Sequence, residues 1–226
     1  MDILSYKQLS QGGFAGLKER RFVMDERVFG ARKTAETVNG LKNFVYLADA
    51  NFLPNGSTGM HPHKEIDVIS IMADGNVSHA GSLEHGQSLS IGQAQVQRAG
   101  AEGFSHNEIN PDSKPNQLIQ IWALPDKSGE KASYKAYNPK AGELVHIYGG
   151  KKNQTSTMYS QTSISMVNAL KEQKFTHKGE VMAYISKGNV IANGKTIPPR
   201  SLLHDIKGLE ISVLSDAQII FIYATK

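Results

Sequence analysis

Four residues in two short motifs carry the clearest chemistry in this sequence. His61-Pro62-His63 is followed, 43 residues after its second histidine, by His106-Asn107-Glu108. In a β-strand, residues two apart project from one face, so each motif aims both of its side chains at the same side of a sheet. If two such strands meet inside a small barrel, three imidazole nitrogens and one carboxylate converge. That is a ligand set for Fe(II), Ni(II), Mn(II) or Zn(II) that leaves positions for water or substrate. For any single histidine the ordinary alternative is a hydrogen-bonded or exposed side chain; four residues in paired register favour the metal. Asp67, in phase with His61 and His63, is a candidate acceptor that fixes an imidazole tautomer. His79 and His85 flank a turn-like stretch and are expected to be exposed or at the rim. His146, His177 and His204 stand alone and are read as structural, and Trp122 as a core residue.

The rest of the composition narrows the chemistry further. With no cysteine, disulfides, thiolate metal sites and cysteine nucleophiles are all excluded, so a transition metal must be held by nitrogen and oxygen. No glycine-rich phosphate loop followed by Lys-Ser/Thr occurs, and no Gly-x-Ser-x-Gly elbow. The net charge is +4, but the basic residues are dispersed. The densest run, Lys18-Glu19-Arg20-Arg21, reads as solvated surface, so no direct nucleic-acid binding is expected. The N-terminal stretch lacks the apolar core of a secretory signal and no apolar run approaches a membrane span, so a cytoplasmic protein without membrane contact is expected.

What positions the motifs is a β architecture. With 226 residues and 39% hydrophobic content the chain has material for a packed core, and short β-branched and aromatic runs punctuated by Gly, Pro and Asn recur throughout. An internal repeat suggests two related halves. Ile71 to Val77 resembles Tyr184 to Val190 at an offset of 113 residues, each passing through a Gly-Asn turn read as a hairpin. Gln120 to Ala123 resembles Phe221 to Ala224 at an offset of 101, so the second copy is shorter by 12 residues, within the interval that contains Gly100 to Pro115 in the first. The expected domains are 1–125 with the metal site, a turn- and charge-rich connection over 126–142, and 143–226 without metal ligands. The expected cores contain Val68, Ile71, Ile119 and Ile121 in one half and Tyr184, Ile220 and Ile222 in the other.

From Gly59 to Pro125 these residues resemble the pirin family. Pirins typically show His-Pro-His-Arg-Gly-Phe-Glu-Thr and then Ala-Gly-x-Gly-Ile-x-His-Ser-Glu; this chain has His61-Pro62-His63-Lys64-Glu65-Ile66-Asp67-Val68 and Ala99-Gly100-Ala101-Glu102-Gly103-Phe104-Ser105-His106-Asn107-Glu108. The resemblance implies an all-β bicupin, two jelly-roll-like β-barrel domains packed together, with one divalent metal at His61, His63, His106 and Glu108. Iron as Fe(II) is expected first, and Ni, Mn or Zn are the alternatives. It further implies either a quercetin 2,3-dioxygenase-type oxygenase on a small aromatic or enol substrate, with Glu108 as catalytic base, or a metal- or redox-responsive regulator that acts through a protein partner. The differing residues after His63 and at Ala80-Gly81-Ser82-Leu83 mean that substrate identity is not inherited with the ligands.

Overall fold

The computed structural model describes residues 1–83 and 87–225. Nearly all regular structure is strand, and every pairing between named strands is antiparallel. β1 (Asp2–Ser5) opens the chain. It is followed by β2 (Gly12–Phe14), β3 (Leu17–Met24), β4 (Phe44–Phe52), β5 (His61–His63), β6 (Asp67–Asp74), β7 (Asn76–Gly81), β8 (Ser88–Ser90), β9 (Ala94–Arg98), β10 (Phe104–Ile109), β11 (Gln117–Ala123) and β12 (Ser133–Tyr137). The second part holds β13 (Leu144–Gly150), β14 (Ser160–Ala169), β15 (Lys174–Lys178), β16 (Val181–Lys187), β17 (Val190–Ala192), β18 (Lys195–Ile197), β19 (Ser201–Asp205), β20 (Gly208–Val213) and β21 (Ala217–Ala224). A one-turn helix, α1 (Glu26–Phe29), starts at Asp25, whose carboxylate accepts from Arg27 N at 3.0 Å.

Two compact units result, Leu9–Asn138 and Met1–Gln8 with Pro139–Lys226. The first has a seven-stranded sheet, β12-β9-β6-β11-β4-β3-β2, and a four-stranded sheet, β5-β10-β7-β8; the second has β1-β19-β16-β21-β14-β13 and β15-β20-β17-β18. Strand for strand the orders coincide, apart from the extra edge strand β2, so the echoes in the sequence reflect a duplicated topology. In each unit the centre of the larger sheet is a nearly continuous apolar run, Asp67–Asp74 or Val181–Lys187, whose neighbours cover both edges. Residues of both sheets meet in each core: Leu17, Phe52, Met72 and Leu118 with Val77 and Leu89 in the first, and Val181, Ile185, Ile219 and Phe221 with Val190, Leu209 and Ile211 in the second. The core residues expected from the sequence are all fully buried.

Three expectations change. The segment 126–142 is not all connection, because Ser133–Tyr137 pairs with β9 and the first unit runs on to Asn138; the half-exposed Ser-Tyr-Lys-Ala-Tyr pattern is that of an edge strand, which tolerates charge. The first residues of the chain belong to the second unit, where β1 pairs with β19 and the Met1 amine lies 3.1 Å from Asp205. The Gly-Asn turns are not hairpins either. Gly75 and Gly188 carry the chain from the larger sheet of each unit into the smaller one, with φ of 71° and 77°. Among the described residues no helix is long and apolar enough to cross a membrane.

A side chain at Gly188 would place its Cβ 2.3 Å from Asp216 O, whereas Gly194, with the same φ of 77°, has open space around it. Gly188→Ala should therefore cost more than Gly194→Ala, which bears only the backbone penalty of about 1 kcal/mol. Urea midpoints of the two variants test this; equal midpoints would show that the corner relaxes freely.

Candidate metal centre

The smaller sheet of the first unit assembles the site. β5 is its edge strand, where Pro62 is tolerated because its missing N–H faces no partner strand. β10 lies beside β5 in antiparallel register, with His61 opposite His106 and His63 opposite Phe104. The two motifs are thus hydrogen-bonded neighbours within one sheet and do not face each other across the barrel. Past the end of β5 the same edge of β10 is held by Thr58, whose Oγ1 accepts from Glu108 N at 3.1 Å and whose N–H donates to Glu108 O at 3.0 Å, while the other edge pairs with β7.

Three imidazoles converge. His106 Nε2 lies 3.0 Å from His61 Nε2 and 3.1 Å from His63 Nε2, and the ligand atoms of the three residues all lie within 4.8 Å of one another. No other such group of His, Asp and Glu occurs among the described residues. His61 Nδ1 is 2.9 Å from Gly59 O. A carbonyl only accepts, so Nδ1 of the neutral ring carries the proton and Nε2 presents its lone pair to the cluster. Ligands at about 2.1 Å from one ion and at right angles to each other stand about 3.0 Å apart, against about 3.4 Å for a tetrahedral pair. The two separations match the right-angled case.

Glu108 is buried in the same cleft wall but outside this group; its Oε1 accepts from Ser70 Oγ at 3.0 Å. Burial raises its pKa from 4.5 to about 7, against the opposing hydrogen bond from Ser70. Burial, with the neighbouring His61, lowers His63 to about 4, and burial with His63, His61 and His79 lowers His106 to about 2. These rings stay neutral at physiological pH, the form in which histidine binds metal.

Several readings of single residues are corrected. Asp67 is paired with a cation: it accepts from Arg98 Nε at 3.0 Å and Nη2 at 2.7 Å across the β6–β9 pair. The bend before it, with Glu65 at φ 52°, breaks the two-residue phase and sends the chain into the other sheet. His79 is buried, 2% exposed, and meets His106 Nδ1 at 3.1 Å. Its strand β7 pairs with β10, a contact between distant segments that the local sequence does not announce. His85 lies outside the described residues. Lys18-Glu19-Arg20-Arg21 is not a solvated face, because Glu19 and Arg21 project from the inner side of β3, where Glu19 accepts from Arg21 Nε at 2.7 Å and from the Tyr46 hydroxyl at 2.9 Å. Trp122 is half-buried and lines the cleft, stacked on Tyr46 at 4.4 Å with its ring 5.8 Å from that of His63. The cleft, with a cavity volume of about 50 Å³, has Phe14, Tyr46, Phe52, Leu118 and Trp122 as apolar walls beside the histidines. In the second unit His146 pairs with Ser165, His177 packs on Tyr223 and His204 meets Glu180, on three separate strands.

Residues 25–123 match the pirin family. The match spans 99 of the 226 residues, a little under half of the chain, and lies within the first unit. It is 25% identical to a quercetin 2,3-dioxygenase of Escherichia coli K12 over 171 residues, 72% of this chain and 74% of that one. It is 23% identical to a pirin-like protein of Caulobacter vibrioides over 193 residues, 78% and 81% of the two chains. In fold this chain is similar to the Escherichia coli pirin YhhW, solved in complex with nickel(II), with a TM-score of 0.82 at 18% identity over 100% of this chain and 99% of that one.

The ionisation pattern predicts an acid sensitivity. In the chain stripped of metal by a chelator, His63 and His106 stay neutral where the unfolded chain binds protons, so their contribution is present above pH 6.5 and lost as pH falls towards 4. Glu108 acts oppositely, since its raised pKa means stability lost as pH rises from 4.5 through about 7. Between these limits two histidines outweigh one carboxyl. Glu108→Gln should steepen the fall on acidification, by up to about 1.4 kcal/mol per pH unit. Chemical denaturation from pH 7 to pH 4.5 checks it, and parallel stability curves for parent and variant would contradict it.

Proposed function

We propose that this protein binds one divalent metal ion through His61, His63 and His106, with Glu108 as a fourth ligand, and uses it as a dioxygenase of the quercetin 2,3-dioxygenase type. The observation that carries the reading is the convergence of three imidazoles, with His106 Nε2 3.0 Å from His61 Nε2 and 3.1 Å from His63 Nε2, beside a buried carboxyl in an aromatic cleft. Right-angled spacing suits a six-coordinate ion, which favours Fe(II), with Ni(II) and Mn(II) next, over tetrahedral Zn(II). The nickel(II) complex of YhhW and the dioxygenase names of the relatives point the same way.

When bound, the ion supplies Lewis acidity for an enolate oxygen and redox chemistry with dioxygen. The chain's own residues do the rest. Tyr46 and Trp122, stacked with Phe29 from α1, offer flat surfaces against which a planar aromatic enol such as a flavonol lies. Phe52 and Leu118 exclude water from the inner end of the cleft. Glu108 takes the proton of the enolic hydroxyl, and Ser70 holds one of its oxygens in place. A carboxylate suits this double duty because one oxygen can bind metal while the other exchanges a proton.

One ion per chain is expected by elemental analysis of untagged protein, with oxygen uptake on quercetin as the assay. Glu108→Gln should keep most of the metal but lose about 10²–10⁴-fold of the metal-normalised rate, whereas His106→Ala should lose metal and activity together. Unchanged metal-normalised activity in Glu108→Gln would place the base elsewhere. A fully loaded parent that consumes no oxygen with any flavonol would overturn the oxygenase reading in favour of a regulatory one.

A further inference from the structure

His106 is held differently from His61. Where His61 Nδ1 faces a carbonyl, His106 Nδ1 faces His79 Nε2 at 3.1 Å, a nitrogen able either to donate or to accept. A third group addresses the same atom: Gln97 Nε2 stands 3.1 Å from His79 Nε2. The three side chains are 1%, 2% and 0% exposed, so bulk water does not arbitrate between them.

Two proton arrangements are self-consistent. In the first, the Gln97 amide N–H donates to His79 Nε2, which accepts from His106 Nδ1–H as well; His106 Nε2 then keeps its lone pair. In the second, the Gln97 amide is turned over and its oxygen accepts from His79 Nε2–H, which is shared with His106 Nδ1. His106 then carries its proton on Nε2 and cannot ligate. Ligation through His106 Nε2 requires the first arrangement, and the structure has the Gln97 amide nitrogen towards His79. Placement explains the arrangement: Gln97 sits on β9, across the core from β7 and β10, and is the donor that denies His79 the role of donor towards His106.

We infer that His79 and Gln97 are positioning residues that set the tautomer of His106 and so ready its Nε2 for a divalent ion. The inference rests on reading His61, His63 and His106 as ligands, and both act on the ion only through His106.

The test is the Ni(II) affinity of the full chain, by competition with a chelator, in the parent, His79→Phe and His79→Gln, with circular dichroism to establish that each is folded. His79→Phe keeps a ring but offers no acceptor and should weaken Ni(II) binding by about 10–100-fold. His79→Gln, whose amide oxygen accepts from Nδ1–H, should restore most of the loss. A second readout is imidazole ¹⁵N NMR of the metal-stripped chain. His106 should be the Nδ1–H tautomer in the parent and move towards Nε2–H in Gln97→Glu, whose carboxylate demands a donor from His79. Equal Ni(II) affinity in the parent and a folded His79→Phe would overturn the inference and leave the ligand reading intact. A parent that binds no Ni(II) at all would overturn both. Should His79→Phe fail to fold, an unchanged His106 tautomer in Gln97→Glu would overturn the inference.

Discussion

Three imidazole lone pairs directed at one point are the constraint around which the first unit is arranged. Neutral rings with Nε2 atoms 3.0–3.1 Å apart repel unless a proton or a cation stands between them, and the burial that lowers the pKa of His63 and His106 disfavours the proton. A metal ion removes the conflict. The surroundings are consistent with that outcome: the Gly59 carbonyl commits the outer nitrogen of His61, His79 stands at that of His106, and Pro62 stiffens the edge strand that presents both outer ligands. Buried Glu108 beside the cluster follows the same logic, because a carboxyl that is uncomfortable as an isolated anion is stabilised once a cation is near.

The second unit shows what the same topology does without that constraint. Its β15 and β20 occupy the places of β5 and β10 in the strand order, and their inward residues are Phe175, His177, Leu209 and Ile211. Leu209 and Ile211 pack with Val181, Ile219 and Phe221 into an apolar core, while Phe175 and His177 line a cavity of about 90 Å³ with Ser165 and Tyr223. The duplicated fold thus recurs with and without the histidine cluster, and the metal site proposed here is an addition made by four or five polar residues in one copy. This separation of scaffold from chemistry is why likeness in fold fixes the barrel more firmly than it fixes the substrate.

How much of this was legible in the sequence follows from the range of the interactions. The histidine pairs were readable because the alternation of a strand is local: His61 and His63, or His106 and Glu108, share a face whatever the rest of the chain does. The repeat was readable because the central strands and their Gly-Asn corners keep the same residue types. The corners were misread as hairpins because positive φ marks a sharp turn without saying which sheet the chain enters next. Asp67 was lost at the bend beside Glu65, which resets the alternation. His79, Gln97, Ser70 and the Glu19–Tyr46 pair were illegible for a common reason: each is defined by a partner 18 to 38 residues away, reached through strand pairing and barrel closure, and nothing in the local pattern distinguishes it from a surface polar residue.

The account stands on one ion being held by His61, His63 and His106. A crystal of the metal-loaded chain, with diffraction data collected on both sides of the absorption edge of the metal, tests that claim directly. A single anomalous peak per chain is predicted, within about 2.2 Å of all three Nε2 atoms. A peak elsewhere, or none between the three imidazoles in a chain shown to contain a full equivalent of metal, would contradict it.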